Sequence, residues 1–493
     1  MKKRIVAVVL LLFVALVLRL YKIEEHTEFL GDQGSAGVVI YESFLNRTIP
    51  LLGPAVSTGQ RPGPFFYYLI APSLILFNFN PVAPAVFFAF LSVISVFLLW
   101  YLGTKLYSFW IGMALATFWA VSPLLVTQGR TFWNPSPIPI LSAFLLFCFY
   151  KIHTERRYWY FLLIGFINAA LVQLHYSNII SILVSIIFCF IILIQSRKQK
   201  MLKTVFLWSI GGIGVFLVVL SPFIFYEVTH GFENIRSVLL MFLFPDIDKT
   251  IVVQVKNSPL TMSSNVFWYI LPISNTNLML LVQAIVLLLP FFLLPVWYRF
   301  GMLWYLSGIV LLSFYKGPMY DHYLSMFLPL AFLIFGALLS GVEKYIPKAI
   351  LIILVSCLIG FQISRLDVAS SGNMDIPRTR EITAEMIRQS NGKPFSFTLI
   401  GSRSFSDYHY RFFFRMNNVR PVDTENKEFR TLFLVCDKTP CPPAEDVQKR
   451  DELQVVCFDL HCKTWYPHLF MSDWQLVTWK DLVNGRLYTF ARR

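Results

Sequence analysis

Residues 29–72 read FLGDQGSAGVVIYESFLNRTIPLLGPAVSTGQRPGPFFYYLIAP, and they separate the first long apolar run of the chain from the second. Asp32 lies in a turn flanked by glycines, and Arg61 follows later in the same stretch. Arg61 precedes a Pro-Gly-Pro segment and the aromatic run 65–68. A long first loop that holds an acid and a base is typical of a site at a membrane surface. The alternative is an ordinary connecting loop whose charges are solvated.

The composition indicates a polytopic membrane protein. Hydrophobic residues make up 56% of the chain and charged residues 14%, whereas soluble domains average about 25% charged residues. The apolar residues occur in runs of about twenty, the length that a helix needs to cross a bilayer. The net charge of +14 is no evidence for nucleic-acid binding, because cytoplasmic loops of membrane proteins are enriched in Lys and Arg.

The apolar runs predict about eleven transmembrane helices with the N-terminus inside the cell. No small-residue cleavage site follows the first run, so we expect an uncleaved helix. The predicted spans are approximately 4–21, 82–102, 109–127, 137–152, two helices within 158–194 that are separated at 173–178, 204–226, 270–296, 301–315, 323–341 and 347–363. Loops assigned to the inside are rich in Lys and Arg, as the positive-inside rule requires.

The predicted topology divides the chain into a membrane domain, residues 1–364, and a small extracytoplasmic α/β domain, residues 365–493. The elements expected in the second domain are a helix at 377–390, strands at 395–400, 431–436 and 453–458, and a hairpin at 476–490. The hairpin contains Asn484-Gly485, a strong turn signal. No Gly-rich phosphate loop or nucleophile elbow is found in this part of the sequence.

Four cysteines lie in the C-terminal domain: Cys436, Cys441, Cys457 and Cys462. An even number in an oxidising compartment predicts two disulfides, and three connectivities are open. The alternative is a zinc site that includes His461, although the four-residue spacing is at the loose end for zinc knuckles.

Several polar residues at the predicted outer surface are candidates for chemistry. A sugar acceptor with a hydroxyl or amine group needs a base to take its proton, and one carboxylate serves this purpose. A phosphate leaving group needs positive charge, and a guanidinium fits a phosphate in geometry as well as charge. The candidates are Asp32, Gln60, Arg61, Tyr67, Arg130, His175, Asp321 and His322.

Each candidate also has a structural interpretation. Asp32 would cap a short helix that begins after Gly34, and Arg61 would extend to lipid headgroups. Arg130 would be an interfacial anchor and His175 a buried histidine with satisfied hydrogen bonds. Asp321 and His322 would end a helix, and the aromatic run after Arg61 would be interfacial packing.

A set of short motifs resembles the polytopic glycosyltransferases of the GT-C class. The motifs are Gly31-Asp32-Gln33, Arg61-Pro62-Gly63-Pro64-Phe65-Phe66-Tyr67-Tyr68, Ser122-Pro123-Leu124, Gln128-Gly129-Arg130, Leu220-Ser221-Pro222-Phe223 before Tyr226-Glu227, and Tyr323-Leu324 with Phe327-Leu328-Pro329. They are most similar to the protein O-mannosyltransferase-like group, which includes aminoarabinose-to-lipid A transferases. The resemblance covers residues 1–345.

The resemblance implies a GT-C membrane bundle and an inverting transfer of a sugar from a polyprenyl-phosphate donor to an extracytoplasmic lipid, glycan or protein. It assigns the catalytic base to Asp32 and the lipid-phosphate contact to Arg61, and we assign Arg130 to the same phosphate. Two positions depart from the family pattern: Gln33 replaces a frequent Glu, and Gln60 replaces an acid that can bind a divalent metal. A metal is therefore not implied, although His175 and His322 remain candidate ligands.

Two other functions compete with this interpretation. A transporter or flippase of lipid-linked glycans should show related halves and ionisable groups near the bilayer midplane, and the sequence shows no clear internal repeat. A polysaccharide polymerase or ligase tends to use several arginines of outer loops. The sequence does not indicate the sugar or the acceptor.

Overall fold

The structure is a computed structural model, and it describes residues 2–55, 59–243, 258–268, 270, 275–293, 296–315, 320–422, 429–455 and 468–493. The helices of the membrane domain are α1 (Lys2–Leu20), α2 (Ile23–His26), α3 (Gly31–Leu45), α4 (Phe65–Leu76), α5 (Val82–Leu106), α6 (Phe109–Val121), α7 (Pro123–Gln128), α8 (Ile138–Glu155), α9 (Tyr160–Leu174), α10 (Ile179–Lys198), α11 (Leu202–Thr229), α12 (Glu233–Leu243), α13 (Pro259–Trp268), α14 (Thr276–Leu293), α15 (Val296–Ser313), α16 (Leu328–Val342) and α17 (Lys348–Ser364). Two 3-10 helices precede α10 and α16, at Tyr176–Asn178 and Asp321–Phe327.

Five helical stretches among the described residues are long and apolar enough to cross a bilayer. They are Val82–Leu106, Ile138–Glu155, Tyr176–Lys198, Leu202–Thr229 and His322–Val342. Shorter apolar helices occur at several other predicted spans, including Phe109–Val121 and Lys348–Ser364. The chain is thus a mostly helical membrane protein, and the number of eleven crossings remains a prediction.

The predicted third span is interrupted. The sequence predicts one helix over 109–127, but α6 ends at Val121 and α7 begins at Pro123. Ser122 between them is extended, with φ −63° and ψ 122°. A proline disfavours the helical conformation of the residue before it, so the Ser-Pro pair stops the helix. The short α7 then leads to Arg130.

The segment predicted to be the first outer loop contains helices α2, α3 and α4. We expected any helix near Asp32 to begin after Gly34, but α3 begins at Gly31 and carries Asp32 in its first turn. The Gln33 side chain accepts a hydrogen bond of 3.1 Å from the backbone N–H of Leu30 and so caps this helix. Most of the first turns of α3 are buried, including Gly31, Gly34 and Gly37.

Small residues let the helices of the membrane domain approach closely. Gly165 of α9 lies against the backbone of Gly212 of α11, and Gly103 of α5 lies against Gly112 of α6. Such contacts are common between transmembrane helices, because lipid offers no hydrophobic driving force and close packing must hold the helices together.

The predicted C-terminal domain contains α18 (Asp375–Ser390), β1 (Phe395–Leu399), α19 (Tyr408–Met416), β2 (Thr431–Cys436), α20 (Ala444–Gln448), β3 (Glu452–Gln454), β4 (His468–Phe470), β5 (Trp474–Leu482) and β6 (Gly485–Arg492). Strands β1, β2, β6 and β5 form a sheet in that order, and only β1 and β2 are parallel within it. The predicted hairpin is β5–β6, with Asn484 at a φ of 48° in its turn. Strands β3 and β4 pair separately.

The cysteine prediction falls partly on the described residues. Cys436 and Cys441 form a disulfide. Cys457, Cys462 and the zinc alternative with His461 lie outside the described residues.

Candidate active site at the first outer loop

Asp32 lies at the start of α3, where its carboxylate is fixed by an indole. Trp133 Nε1 donates a hydrogen bond of 3.0 Å to Asp32 Oδ2. Trp133 belongs to the segment that follows α7, so the interrupted third span brings this ring to the first loop. The sequence motifs did not single out Trp133; the only signal for it was its position just after Arg130.

The Asp32 carboxylate is accessible and also partly dehydrated. Its side chain is exposed to solvent, but protein surrounds the carboxylate on most sides, and the resulting loss of hydration raises its pKa above the ordinary value. The hydrogen bond from Trp133 opposes this change because it stabilises the ionised form. A carboxylate with a raised pKa is a better proton acceptor than an ordinary aspartate.

The two predicted histidines lie on the far side of Trp133. The rings of Trp133 and His322 are 4.8 Å apart, and those of His322 and His175 are 5.3 Å apart. Ser177 donates its backbone N–H to His175 Nδ1 at 3.2 Å, so the neutral ring carries its proton on Nε2. Burial lowers the pKa of His175 to about 3, and His322 adds to this effect. His175 is therefore a neutral hydrogen-bond donor at ordinary pH.

Arg61 is held by its backbone and by one side-chain nitrogen. The Arg61 N–H donates to Asn234 Oδ1 at 3.2 Å, and the Arg61 carbonyl accepts from the Tyr176 hydroxyl at 2.9 Å. Its Nε donates to the carbonyl of Gly53 at 3.0 Å. These bonds attach Arg61 to Gly53, to α12 and to the break between α9 and α10.

Tyr67 lies near both Arg61 and Asp32. Its side chain is 1% exposed, and burial raises the pKa of its phenol, while Arg61 opposes this change and Asp32 adds to it. The structure therefore brings three predicted site residues together, an acid, a base and a phenol. The aromatic run after Arg61 is α4, and its buried side chains include Phe66 and Tyr67.

Arg130 is buried beside Asp367. It is 4% exposed, and its Nη2 donates to the carbonyl of Asp367 at 3.2 Å. Within the described residues, its Nε and Nη1 are buried without a hydrogen-bond partner. Burial lowers the pKa of Arg130, and Asp367 opposes that effect. Two nitrogens of the guanidinium thus retain unpaired N–H groups, but they do not face open solvent.

The remaining candidates contribute less to the described site. Gln60 is half-buried next to Arg61. Asp321 begins the 3-10 helix before α16, and its side chain lies outside what the structure describes. No group of three His, Cys, Asp or Glu side chains that could hold a metal ion was found among the described residues.

Comparisons with known proteins agree with the fold. A family model described as dolichyl-phosphate-mannose-protein mannosyltransferase matches residues 60–226, which include Arg61, Arg130, Trp133 and His175 but not Asp32. No curated protein matches the sequence significantly.

Two crystal structures of ArnT from Cupriavidus metallidurans share the fold over almost the whole chain. The apo structure has a TM-score of 0.59 at 11% identity and covers 98% of this chain and 97% of that chain. The structure bound to undecaprenyl phosphate has a TM-score of 0.60 at 12% identity, with the same coverage. Together with the family match, these likenesses confirm the predicted resemblance to GT-C glycosyltransferases.

Proposed function

We propose that this protein is an inverting membrane glycosyltransferase that moves a sugar from a polyprenyl-phosphate donor to an extracytoplasmic acceptor. The observation that carries the proposal is the grouping of Asp32, Tyr67 and Arg61 at the first outer loop of a GT-C fold. A carboxylate base with a cation and a phenol nearby suits a reaction in which the acceptor loses a proton and a phosphate oxygen gains negative charge.

In the proposed reaction, the acceptor hydroxyl or amine gives its proton to the Asp32 carboxylate as it attacks the anomeric carbon. The bond between that carbon and the lipid phosphate oxygen breaks, and polyprenyl phosphate leaves with the bonding electrons. Arg61 stabilises the negative charge that develops on the phosphate. Attack and departure on opposite faces of the sugar invert its anomeric configuration.

The neighbouring residues have supporting roles in this proposal. Trp133 fixes the Asp32 carboxylate through its indole N–H. The neutral His175, together with His322 beyond Trp133, offers ring N–H groups for hydrogen bonds to a sugar hydroxyl. Arg130 is the second phosphate contact, supported by its two nitrogens that lack a hydrogen-bond partner within the described residues. Because Arg130 is buried, we expect it to contribute less to donor binding than Arg61.

The proposal is tested with purified protein and a panel of polyprenyl-phosphate sugars that differ in the sugar. One donor should release polyprenyl phosphate in the presence of a lipid, glycan or protein acceptor, and the product should carry an inverted anomeric centre. Release that requires no acceptor would indicate hydrolysis. No release from any donor, together with movement of a lipid-linked glycan across vesicles, would overturn the proposal in favour of a flippase.

A further inference from the structure

The C-terminal domain forms many of the contacts of the segment that carries Asp32. The backbone N–H of Phe29 donates to Asp375 Oδ2 at 3.3 Å, and that of Gly31 donates to Ser404 Oγ at 2.9 Å. Both acceptors are buried side chains of the C-terminal domain. The two N–H groups lie on either side of Leu30 and immediately before Asp32, so they fix the backbone at the start of α3.

The glycines of α3 allow this close contact. A Cβ atom at Gly34 would collide with the backbone of His409, and one at Gly37 would collide with the ring of Phe412. The ring of Phe29 packs against those of Phe412 and Phe413, at centroid distances of 5.6 and 5.7 Å. The α3 and α19 backbones therefore meet with no side chain between them at Gly34.

The acceptors themselves belong to a buried ionic network. Asp375 pairs with Arg378 at 2.7 Å and with Arg403 at 3.1 Å. The backbone N–H of Arg403 donates to Asp437 at 3.2 Å, and Asp437 contacts the His409 ring at 3.2 Å. The network thus runs from the Phe29 N–H to His409, whose backbone meets Gly34.

Such a network contributes little to the free energy of folding. Asp375 and His409 are 0% exposed, and removing charges from water costs free energy that their mutual attraction only partly offsets. The buried pairs Asp375–Arg378 and Asp437–His409 nevertheless fix the side chains that they join. These side chains belong to the surface that contacts the start of α3.

On the basis of the proposed function, we propose that the C-terminal domain is part of the catalytic unit, with Asp375 and Ser404 as positioning residues that fix the Asp32 loop. The domain contributes no reacting group in this proposal. It holds the carboxylate at the place where the acceptor must lose its proton, and misplacement by about 1 Å can cost about a hundredfold in rate.

The first test uses a matched pair of glycine substitutions. Gly34→Ala introduces the collision with His409, whereas Gly360→Ala in α17 adds a methyl group with nothing within 4 Å. Both residues are helical, so both variants gain the same helix propensity. We expect Gly34→Ala to lower kcat about 10- to 100-fold with little change in the KM for the donor, and Gly360→Ala to behave like the wild type. Equal activity of the two variants would overturn the proposal.

The second test removes hydrogen bonds without adding bulk. Ser404→Ala loses the acceptor for the Gly31 N–H and the two bonds of its hydroxyl with the backbone of Ser406. The matched variant is Ser396→Ala, a buried serine of β1 whose hydroxyl has no partner within the described residues. A looser loop would expose Asp32 to more water and so lower its pKa. The acidic limb of the kcat/KM profile should therefore move to lower pH in Ser404→Ala and stay unchanged in Ser396→Ala. The titratable groups near Asp32 are Glu28 and Tyr67, and neither residue is substituted in these variants. An unshifted limb would contradict a positioning role.

A third measurement does not depend on activity. A Cβ at Gly31 would lie 2.9 Å from Ser404 Oγ, and it would also collide with the Ser406 side chain. In a Ser406→Gly background, which removes that side chain, the pair Gly31→Cys and Ser404→Cys should form a disulfide that mass mapping detects, whereas Gly31→Cys with Ser396→Cys should not. Absence of the first disulfide would overturn the proposed contact. If the disulfide forms but the wild type transfers no sugar, the glycosyltransferase proposal fails and the contact between domain and loop stands.

Discussion

Asp32 combines solvent access with a fixed orientation, which are the two geometric requirements of a general base. Asp32→Asn keeps the shape of the side chain and removes its ability to accept a proton. We expect turnover to fall by about two to four orders of magnitude, with donor binding nearly intact. Steady-state release of polyprenyl phosphate measures the first quantity and donor KM the second. Near-normal turnover would mean that another acid, such as Glu227, is the base.

Arg61 and Arg130 should differ in their effect on donor binding. Arg61 is half-buried beside Tyr67, whereas Arg130 is 4% exposed and bonded to Asp367. A hydrogen bond to a charged group contributes about 1.5–3 kcal/mol, so Arg61→Ala should raise the donor KM about 10- to 150-fold and also lower kcat. Arg130→Ala should raise KM less and lower the thermal unfolding temperature more. The reverse order would exchange the proposed roles of the two arginines.

The pH dependence of transfer follows from the ionisation of Asp32. The base must be ionised, so activity should fall as the pH drops through its pKa, which is raised above the ordinary value. Trp133 stabilises the ionised form, and Trp133→Phe should therefore move the acidic limb of kcat/KM to higher pH. The control is Trp159→Phe, because Trp159 stacks on Tyr160 at the start of α9. A shift of Trp133→Phe to lower pH would contradict this account.

At the scale of elements, the contact between α9 and α11 is suited to a test of packing. A methyl group at Gly165 would collide with the backbone of Gly212, whereas one at Gly214 of α11 would meet nothing within 4 Å. Overpacking costs about 1–3 kcal/mol, so Gly165→Ala should unfold at a lower temperature in detergent and Gly214→Ala should not. Equal unfolding temperatures would show that α9 and α11 move apart to accept the methyl group without a loss of stability.

Helical periodicity and apolar length were enough to predict most elements. Described helices or strands lie at nearly all predicted positions, and the Asn-Gly signal located the β5–β6 hairpin. Three features were missed, each for a physical reason. The chain around Asp32 is polar and Gly-rich, which obscured α3; Pro123 outweighed the apolar run of the third span; and α19 is a short aromatic helix without a clear boundary signal.

The site was only half predictable for a different reason. Asp32, Arg61 and Tyr67 belong to one stretch with a characteristic motif, whereas Trp133 and Ser404 approach Asp32 from distant parts of the chain. A single sequence contains no signal for such contacts. Tertiary structure alone shows that the C-terminal domain, which carries no catalytic motif, contacts the segment around Asp32.

At the scale of the molecule, this contact constrains the topology. Arg380 of α18 pairs with Glu24 at 2.7 Å, and the Met374 N–H donates to the Glu25 carbonyl at 2.8 Å. Two segments that touch in this way must lie on the same side of a membrane. The first outer loop and the C-terminal domain therefore share one compartment, and the number of crossings between them must be even.

The predicted side is the extracytoplasmic one, and the Lys and Arg bias of the opposite loops supports it. A disulfide between Cys436 and Cys441 also suits an oxidising compartment. Non-reducing mass mapping of the protein from its native membrane should find these two cysteines oxidised, together with Cys457 and Cys462. Four free thiols would point instead to a metal or to a cytoplasmic domain.

Cysteine labelling in intact cells tests the side directly. An impermeant maleimide should label single cysteines introduced at Gln60, in the first outer loop, at Lys256, outside the described residues, and at Asn417, at the end of α19. It should not label a cysteine at Gln199, which follows α10 in a loop rich in Lys and Arg. Because the first loop and the C-terminal domain touch, positions 60 and 417 must give the same result even if the orientation is reversed. Labelling of position 199 alone would show that the topology is the reverse of the predicted one. Opposite results at positions 60 and 417 would refute the contact on which the positioning role of the C-terminal domain depends.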